Sequence, residues 1–165
     1  MPTTVVMVWI HGGGLLVDAA KDAQFTPFSL IKNGVIVVTF DYRMGTFGFF
    51  APKELIDEAK AKGEPVGNYG TMDQIASLKW VKNNIAAFGG DPNNVTIIGQ
   101  SGGGAKVTSL MNMPAAKGLF HKAVALSGTS LTGVNKEYAE KLGQKVMEEA
   151  GLKPFEIERL QNIPW

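Results

Sequence analysis

The sequence predicts an α/β fold built on a mostly parallel sheet. Three observations carry this. Four short apolar runs are rich in Val and Ile and nearly continuous rather than alternating. Segments of helical period lie between them, in strand-helix-strand order. Glycine-rich turns follow two of the runs directly. Continuous apolar strands are expected where helices cover both faces of a parallel sheet, and strands alternating with helices give a layered fold with right-handed crossovers.

The first strand covers Val5 to Ile10 and stops at Gly12-Gly13-Gly14; the second covers Gly34 to Phe40. The stretch from Pro52 to Gly70 is polar and holds two prolines and three glycines. It reads as an excursion at the sheet edge, with Glu54, Asp57, Glu58, Lys60 and Lys62 on a solvated surface. The clearest helix runs from about Met72 to Ala87. Thr71 and Gln74 make a capping-box pair, while Ile75, Leu78, Val81 and Ile85 recur at helical spacing and face the sheet. Gly89-Gly90 stop this helix and Asp91-Pro92 begin a turn. The third strand spans Asn94 to Ile98, and a helix leaves it through Gly99-Gln100-Ser101-Gly102-Gly103, ending near Met113 before Pro114. The fourth strand spans Lys122 to Ser127. A helix over about Lys136 to Ala150, with Tyr138, Leu142 and Val146 spaced by four and Gly151 as its cap, precedes a short helix after Pro154.

A chain of 165 residues can bury a real core. Hydrophobic residues at 45% and charged residues at 19% fit an ordinary globular protein. The net charge of +1 gives no electrostatic case for nucleic acid or an anionic membrane as partner. With no cysteine there is no disulfide or thiolate metal site, and two distant histidines make no metal cluster. No metal and no cofactor are expected. No signal-like segment or long apolar span appears, so a cytoplasmic location is expected for the chain as given.

The G-x-S-x-G pattern at Gly99 to Gly103 has the marks of a nucleophile elbow. A strand turning sharply into a helix holds a serine, here Ser101, in a strained conformation with its hydroxyl exposed at the sheet tip. Upstream, Trp9-Ile10-His11-Gly12-Gly13-Gly14 leaves the first strand as a glycine loop. Acyl transfer builds negative charge on a carbonyl oxygen, and closely approaching backbone N–H groups stabilise it. The expected donors are the amides of Gly13, Gly14 and Gly102.

At these two motifs the chain resembles the type-B carboxylesterases, the family of cholinesterases and bacterial nitrobenzyl esterases, which have the α/β-hydrolase fold. Asp41-Tyr42-Arg43 with Gly45 and Gly48-Phe49, then Gly67-Asn68-Tyr69-Gly70 with Asp73-Gln74, resemble two further family segments. So do Trp80-Val81, Asn84 to Pro92, Phe120 to Ala123 and Leu126-Ser127-Gly128. The segment Phe88-Gly89-Gly90-Asp91-Pro92 favours this family over the hormone-sensitive-lipase-like esterases, which also pair a His-Gly-Gly-Gly loop with a serine elbow. Asp41 stands where the family commonly has Asn. Gln100 stands where it often has Glu, which argues against cation-selective binding of the cholinesterase kind.

The resemblance implies two-step acyl transfer on carboxylic esters, with Ser101 as nucleophile; it does not settle the substrate, for which small, uncharged esters are the expectation. It also implies a single domain over residues 1–165 that is a partial α/β-hydrolase, since the family's acid and base come from loops after two further strands. A serine needs a histidine base and a carboxylate that orients it. His121, just before a strand, enters the sheet at the end away from Ser101, and His11 is expected to support the oxyanion loop. Glu137, Glu140, Glu148 and Glu149 read as a solvated helix face. Arg43 anchors its loop through Asp41 or Asp73. Ser127 either hydrogen-bonds beside the site or only closes a turn. Phe47, Phe49 and Phe50 are expected to pack. The competing reading is a truncated, inert or ligand-binding scaffold member of the family. A partial sheet would also expose two raw edges and so be marginally stable and prone to self-pairing. The oligomeric state is not legible.

Overall fold

The computed structural model describes residues 4–16, 19–20, 26–130, 132–160 and 162–163. Strands β1 (Thr4–Ile10), β2 (Ile36–Thr39), β3 (Gly90–Gln100) and β4 (Lys122–Leu126) form one parallel sheet in the order β2-β1-β3-β4. The outer strands are therefore β2 and β4. Val8 aligns with Val38 and Ile97, and Ile97 with Ala123, which brings the C-terminal ends of β1, β3 and β4 to one edge. The helices are α1 (Phe28–Lys32), α2 (Gly45–Phe49), α3 (Lys53–Lys62), α4 (Tyr69–Asn84), α5 (Gly102–Asn112), α6 (Lys136–Glu149) and α7 (Ile157–Leu160).

The main core lies on one face of the sheet. Val6, Val8 and Ile10 of β1 and Val95 and Ile97 of β3 meet Leu78 and Val81 of α4 and Val107 and Leu110 of α5, all almost wholly excluded from water. Burying each such aliphatic side chain contributes roughly 1.5–3 kcal/mol. The opposite face differs from the expectation of full cover: Val5, Met7, Trp9 and Ile98 are only half-buried, and Val124 is exposed. Apolar continuity in these strands therefore overstates how much of the second face is covered. A smaller core of Phe50, Met147 and Leu152 joins α6 to the chain ahead of α3.

Four other expectations need correction. The stretch after Pro52, read as a polar excursion with no element assigned to it, contains the ten-residue helix α3. It is amphipathic enough to bury Ala59, its i,i+4 pairs Lys53–Asp57 and Glu58–Lys62 lie in solvent, and Gly63 ends it at φ 68°. Helix α4 starts earlier than the Thr71–Gln74 box implies: Asn68 is its N-cap, without a side-chain cap bond, and Gln74 is buried in the core. Asp73, the fifth residue of the helix, ties it to Arg43: its carboxylate accepts from the Arg43 backbone N–H at 3.0 Å and from its guanidinium at 2.8 and 2.7 Å. In α6 the buried residues are Gly143 and Met147, which meet the second core, while Tyr138 and Leu142 are exposed. Phe50 packs as expected, but Phe47 is 64% exposed.

Strand β3 begins at Gly90, ahead of the Asp91-Pro92 turn, with a register break where Thr4 and Val6 pair with Gly90 and Val95. Inside that break the Asp91 carboxylate accepts from the Asn93 N–H at 2.9 Å, the local bond that makes Asp-Pro a turn former. A short 3₁₀ turn, Ile85–Phe88, links α4 to Gly89.

Candidate active site

Ser101 is the single residue between the end of β3 and the start of α5. It is exposed, and its backbone has φ 55° and ψ −122°. A side-chain-bearing residue at such a φ costs roughly 1–3 kcal/mol, so the surroundings must enforce it. Three contacts do so. The Ser101 N–H donates to the Leu126 carbonyl of β4 at 2.8 Å, and the Ser101 carbonyl accepts from the Ala105 N–H at 3.1 Å. On the other side, α5 lies so close to β1 that a Cβ on Gly103 would stand 2.1 Å from the Ile10 carbonyl oxygen. The sharp turn is thus fixed from β4, from α5 and from β1 together.

The glycine loop after β1 reaches the same place. Gly13 and Gly14 adopt φ 73° and 65°, and the Leu16 N–H closes a turn onto the Gly13 carbonyl at 3.2 Å. A Cβ on Gly102 would meet the Gly14 nitrogen at 2.6 Å and its Cα at 2.7 Å. The loop backbone therefore rests directly on the first residue of α5. The structure gathers Ser101, Gly102 and Gly14 at the positive end of an eleven-residue helix whose first turn carries no acidic side chain.

The carboxylesterase family model matches residues 2–162. The chain belongs to the carboxylesterase family. Like the esterases of known structure that it superposes on, it has the α/β-hydrolase fold. A carboxylesterase of Geobacillus stearothermophilus superposes with a TM-score of 0.90 at 42% identity, covering 99% of this chain and 34% of that one. In sequence the chain is 43% identical over 159 residues to the para-nitrobenzyl esterase of Bacillus subtilis, covering 96% of this chain and 31% of that protein. It is 45% identical over 149 residues to liver carboxylesterase 1 of Oryctolagus cuniculus, covering 90% and 25% respectively. The chain thus spans about a third or less of the length of these carboxylesterases.

Beneath the glycine loop lies a buried polar stack. His11, 1% exposed, stacks on Tyr42 with ring centroids 4.1 Å apart and planes 16° apart. The Tyr42 hydroxyl donates to the His11 carbonyl at 2.7 Å, and His11 Nδ1 lies 3.3 Å from the same hydroxyl. Lys106, also buried, donates to the Gly14 carbonyl, and its Nζ stands 5.2 Å from the centre of the Tyr42 ring. Neither Tyr42 nor Lys106 was picked out above for this role. A signal existed for the lysine: Gly103, Lys106, Val107 and Leu110 follow the i, i+3, i+4, i+7 pattern and are all buried, so Lys106 falls on the inward stripe of α5.

The remaining candidates separate by position. Gln100 is exposed at the end of β3, beside Ser101. Ser127 is exposed just after β4, at the same edge, and also has a positive φ of 51°. His121 lies at the other edge: its N–H donates to the Val95 carbonyl at 2.8 Å and its Nδ1 accepts from the Val95 N–H at 3.2 Å. At a strand rise of about 3.3 Å per residue, that places it roughly 16 Å or more from Ser101. Arg43 pairs with Asp73, whose hydrogen bonds from Arg43 hold its carboxyl below the usual carboxylate range. Asp41 accepts from the Ala20 N–H instead, at 2.7 Å. Glu140, Glu148 and Glu149 pair with lysines of their own helix, as a solvated face does. Among the described residues no group of His, Asp and Glu could hold a metal ion, and no helix is long and apolar enough to cross a membrane.

Proposed function

We propose that the chain carries the acyl-transfer centre of a carboxylic ester hydrolase acting on small-molecule esters. Ser101 is the nucleophile. Its oxygen adds to the ester carbonyl, the alcohol leaves, and water releases the acid from the acyl-enzyme. The amides of Gly13, Gly14 and Gly102 receive the oxyanion. The single observation that carries this reading is the strained, exposed conformation of Ser101 at the junction of β3 and α5, with the Gly14 backbone pressed against the next residue. Strain retained at one serine by contacts from three elements points to a site rather than to packing.

Neither histidine of the sequence is positioned as the base. His11 is sealed under the glycine loop against Tyr42, and His121 serves β3 at the far edge. Efficient turnover therefore needs a histidine other than these two, oriented by a carboxylate, and slow turnover is expected of the chain by itself. A fluorophosphonate probe tests the nucleophile directly. Ser Oγ bonds to phosphorus, fluoride leaves, and the serine proton passes to solvent. At pH 9 slow adduct formation is expected at Ser101 and lost in Ser101→Ala. An adduct mapped by peptide mass to another serine in preference overturns the assignment.

A further inference from the structure

Lysine is among the residues least often found fully buried, yet Lys106 is 5% exposed five residues after Ser101. Two of its contacts are to the glycine loop and its support: its ammonium donates to the Gly14 carbonyl and lies over the Tyr42 ring. Tyr42 ties down the other end of the loop through the His11 carbonyl, and the Leu16 N–H holds the Gly13 carbonyl between them. The carbonyls of His11, Gly13 and Gly14 are thus all engaged from within the protein. Gly13 and Gly14 have no Cβ to hold them at φ 73° and 65°, and glycine leaves such a conformation as easily as it enters it. Something outside the loop must select it.

We propose that Lys106 is a positioning residue of the oxyanion loop: its charge-assisted bond to the Gly14 carbonyl fixes the Gly14–Leu15 peptide plane, and with the Leu16 bond to the Gly13 carbonyl this pins Gly14 on both sides, so that the Gly13 and Gly14 amides face the Ser101 hydroxyl. This rests on the reading of Ser101 and the glycine amides given above. The bond is of the stronger, ionised-donor kind, and Tyr42 supplies a cation-binding ring face below it. A neutral side chain of the same length would fill the space and leave the loop free to turn.

The test uses Lys106→Met and Lys106→Cys, the latter alkylated with 2-bromoethylamine in denaturant and refolded to give a thioether analogue of lysine. Because the sequence has no cysteine, alkylation is confined to that position. The readout is the rate of fluorophosphonate addition at Ser101, at a temperature where circular dichroism shows every variant folded. Loss of one oxyanion donor costs about a hundredfold or more, so misplacing the loop by one step removed is expected to slow addition by about tenfold or more, with recovery in the alkylated Lys106→Cys protein. A role in packing alone would shift the melting temperature and leave the rate in the folded protein unchanged. Equal rates in the parent chain and Lys106→Met overturn the proposal while Ser101 still labels; labelling elsewhere in the parent chain overturns the underlying reading instead. Should Lys106→Met fail to fold, the Lys106→Cys protein before and after alkylation gives the same comparison. A rate indifferent to the restored ammonium then overturns the proposal.

Discussion

Ile97 and Ile98 are neighbours in β3 and point to opposite faces of the sheet. Ile97 is wholly buried under α4 and α5, and Ile98 is half-buried beside Trp9 and the exposed Val124. Both faces are built from branched apolar residues, and only one has helices packed tightly on it. Composition along a strand therefore reports what a face can bury, while the helices decide what it does bury. The two faces carry different shares of the fold's stability, and mutation can weigh them against each other.

The largest effect is expected at Ile97→Ala. A cavity in the covered face costs about 3–4 kcal/mol in urea unfolding, and Ile98→Ala about half of that. Equal losses would break the comparison. Next comes Gln74, wholly buried in α4, whose side-chain oxygen and nitrogen find no hydrogen-bond partner among the described residues. It is a polar flaw in the covered face, so Gln74→Met is expected to raise stability by about 1 kcal/mol, measured as a higher urea midpoint at unchanged slope. The Arg43–Asp73 clasp is smaller again because Arg43 is half in solvent, and Asp73→Asn is expected to cost about 0.5–0.8 kcal/mol at neutral pH. Since Asp73 titrates lower in the folded chain than its ordinary value, its contribution is present above about pH 4 and fades as pH falls through the folded value. The two proteins' melting temperatures should therefore converge on acidification. The smallest effect is at Val124→Thr on the open face, within about 0.5 kcal/mol by thermal melting.

Much of this was legible in the residues. The four strands fell where Val and Ile run together; the elbow was marked by glycines whose missing side chains the packing requires, and the glycine loop by residues that take positive φ. Helix α3 was hidden because its charged residues dominate its composition and its apolar stripe is short, with Leu55 and Ile56 half-buried and Ala59 buried. In α6 the row Tyr138, Leu142 and Val146 is only partly used: Val146 and Met147 pack on the second core, while Tyr138 and Leu142 stay exposed. Near the start of α4 the partner of Asp73 is Arg43, thirty residues upstream, which no local cap pattern can announce. In the site, a lysine and a tyrosine far apart in sequence became partners only once β1, α5 and the loop after β2 had been brought together.

One bond of the elbow ties its lifetime to the rim of the sheet. The Ser101 amide hangs on the Leu126 carbonyl, and β4 is an outer strand with one side unoccupied by any described neighbour. Outer strands open sooner than inner ones, so each time β4 frays the serine loses the tether that keeps its hydroxyl aimed. Deuterium uptake at that single amide is accordingly a clock for the site, counting how long each aimed interval lasts.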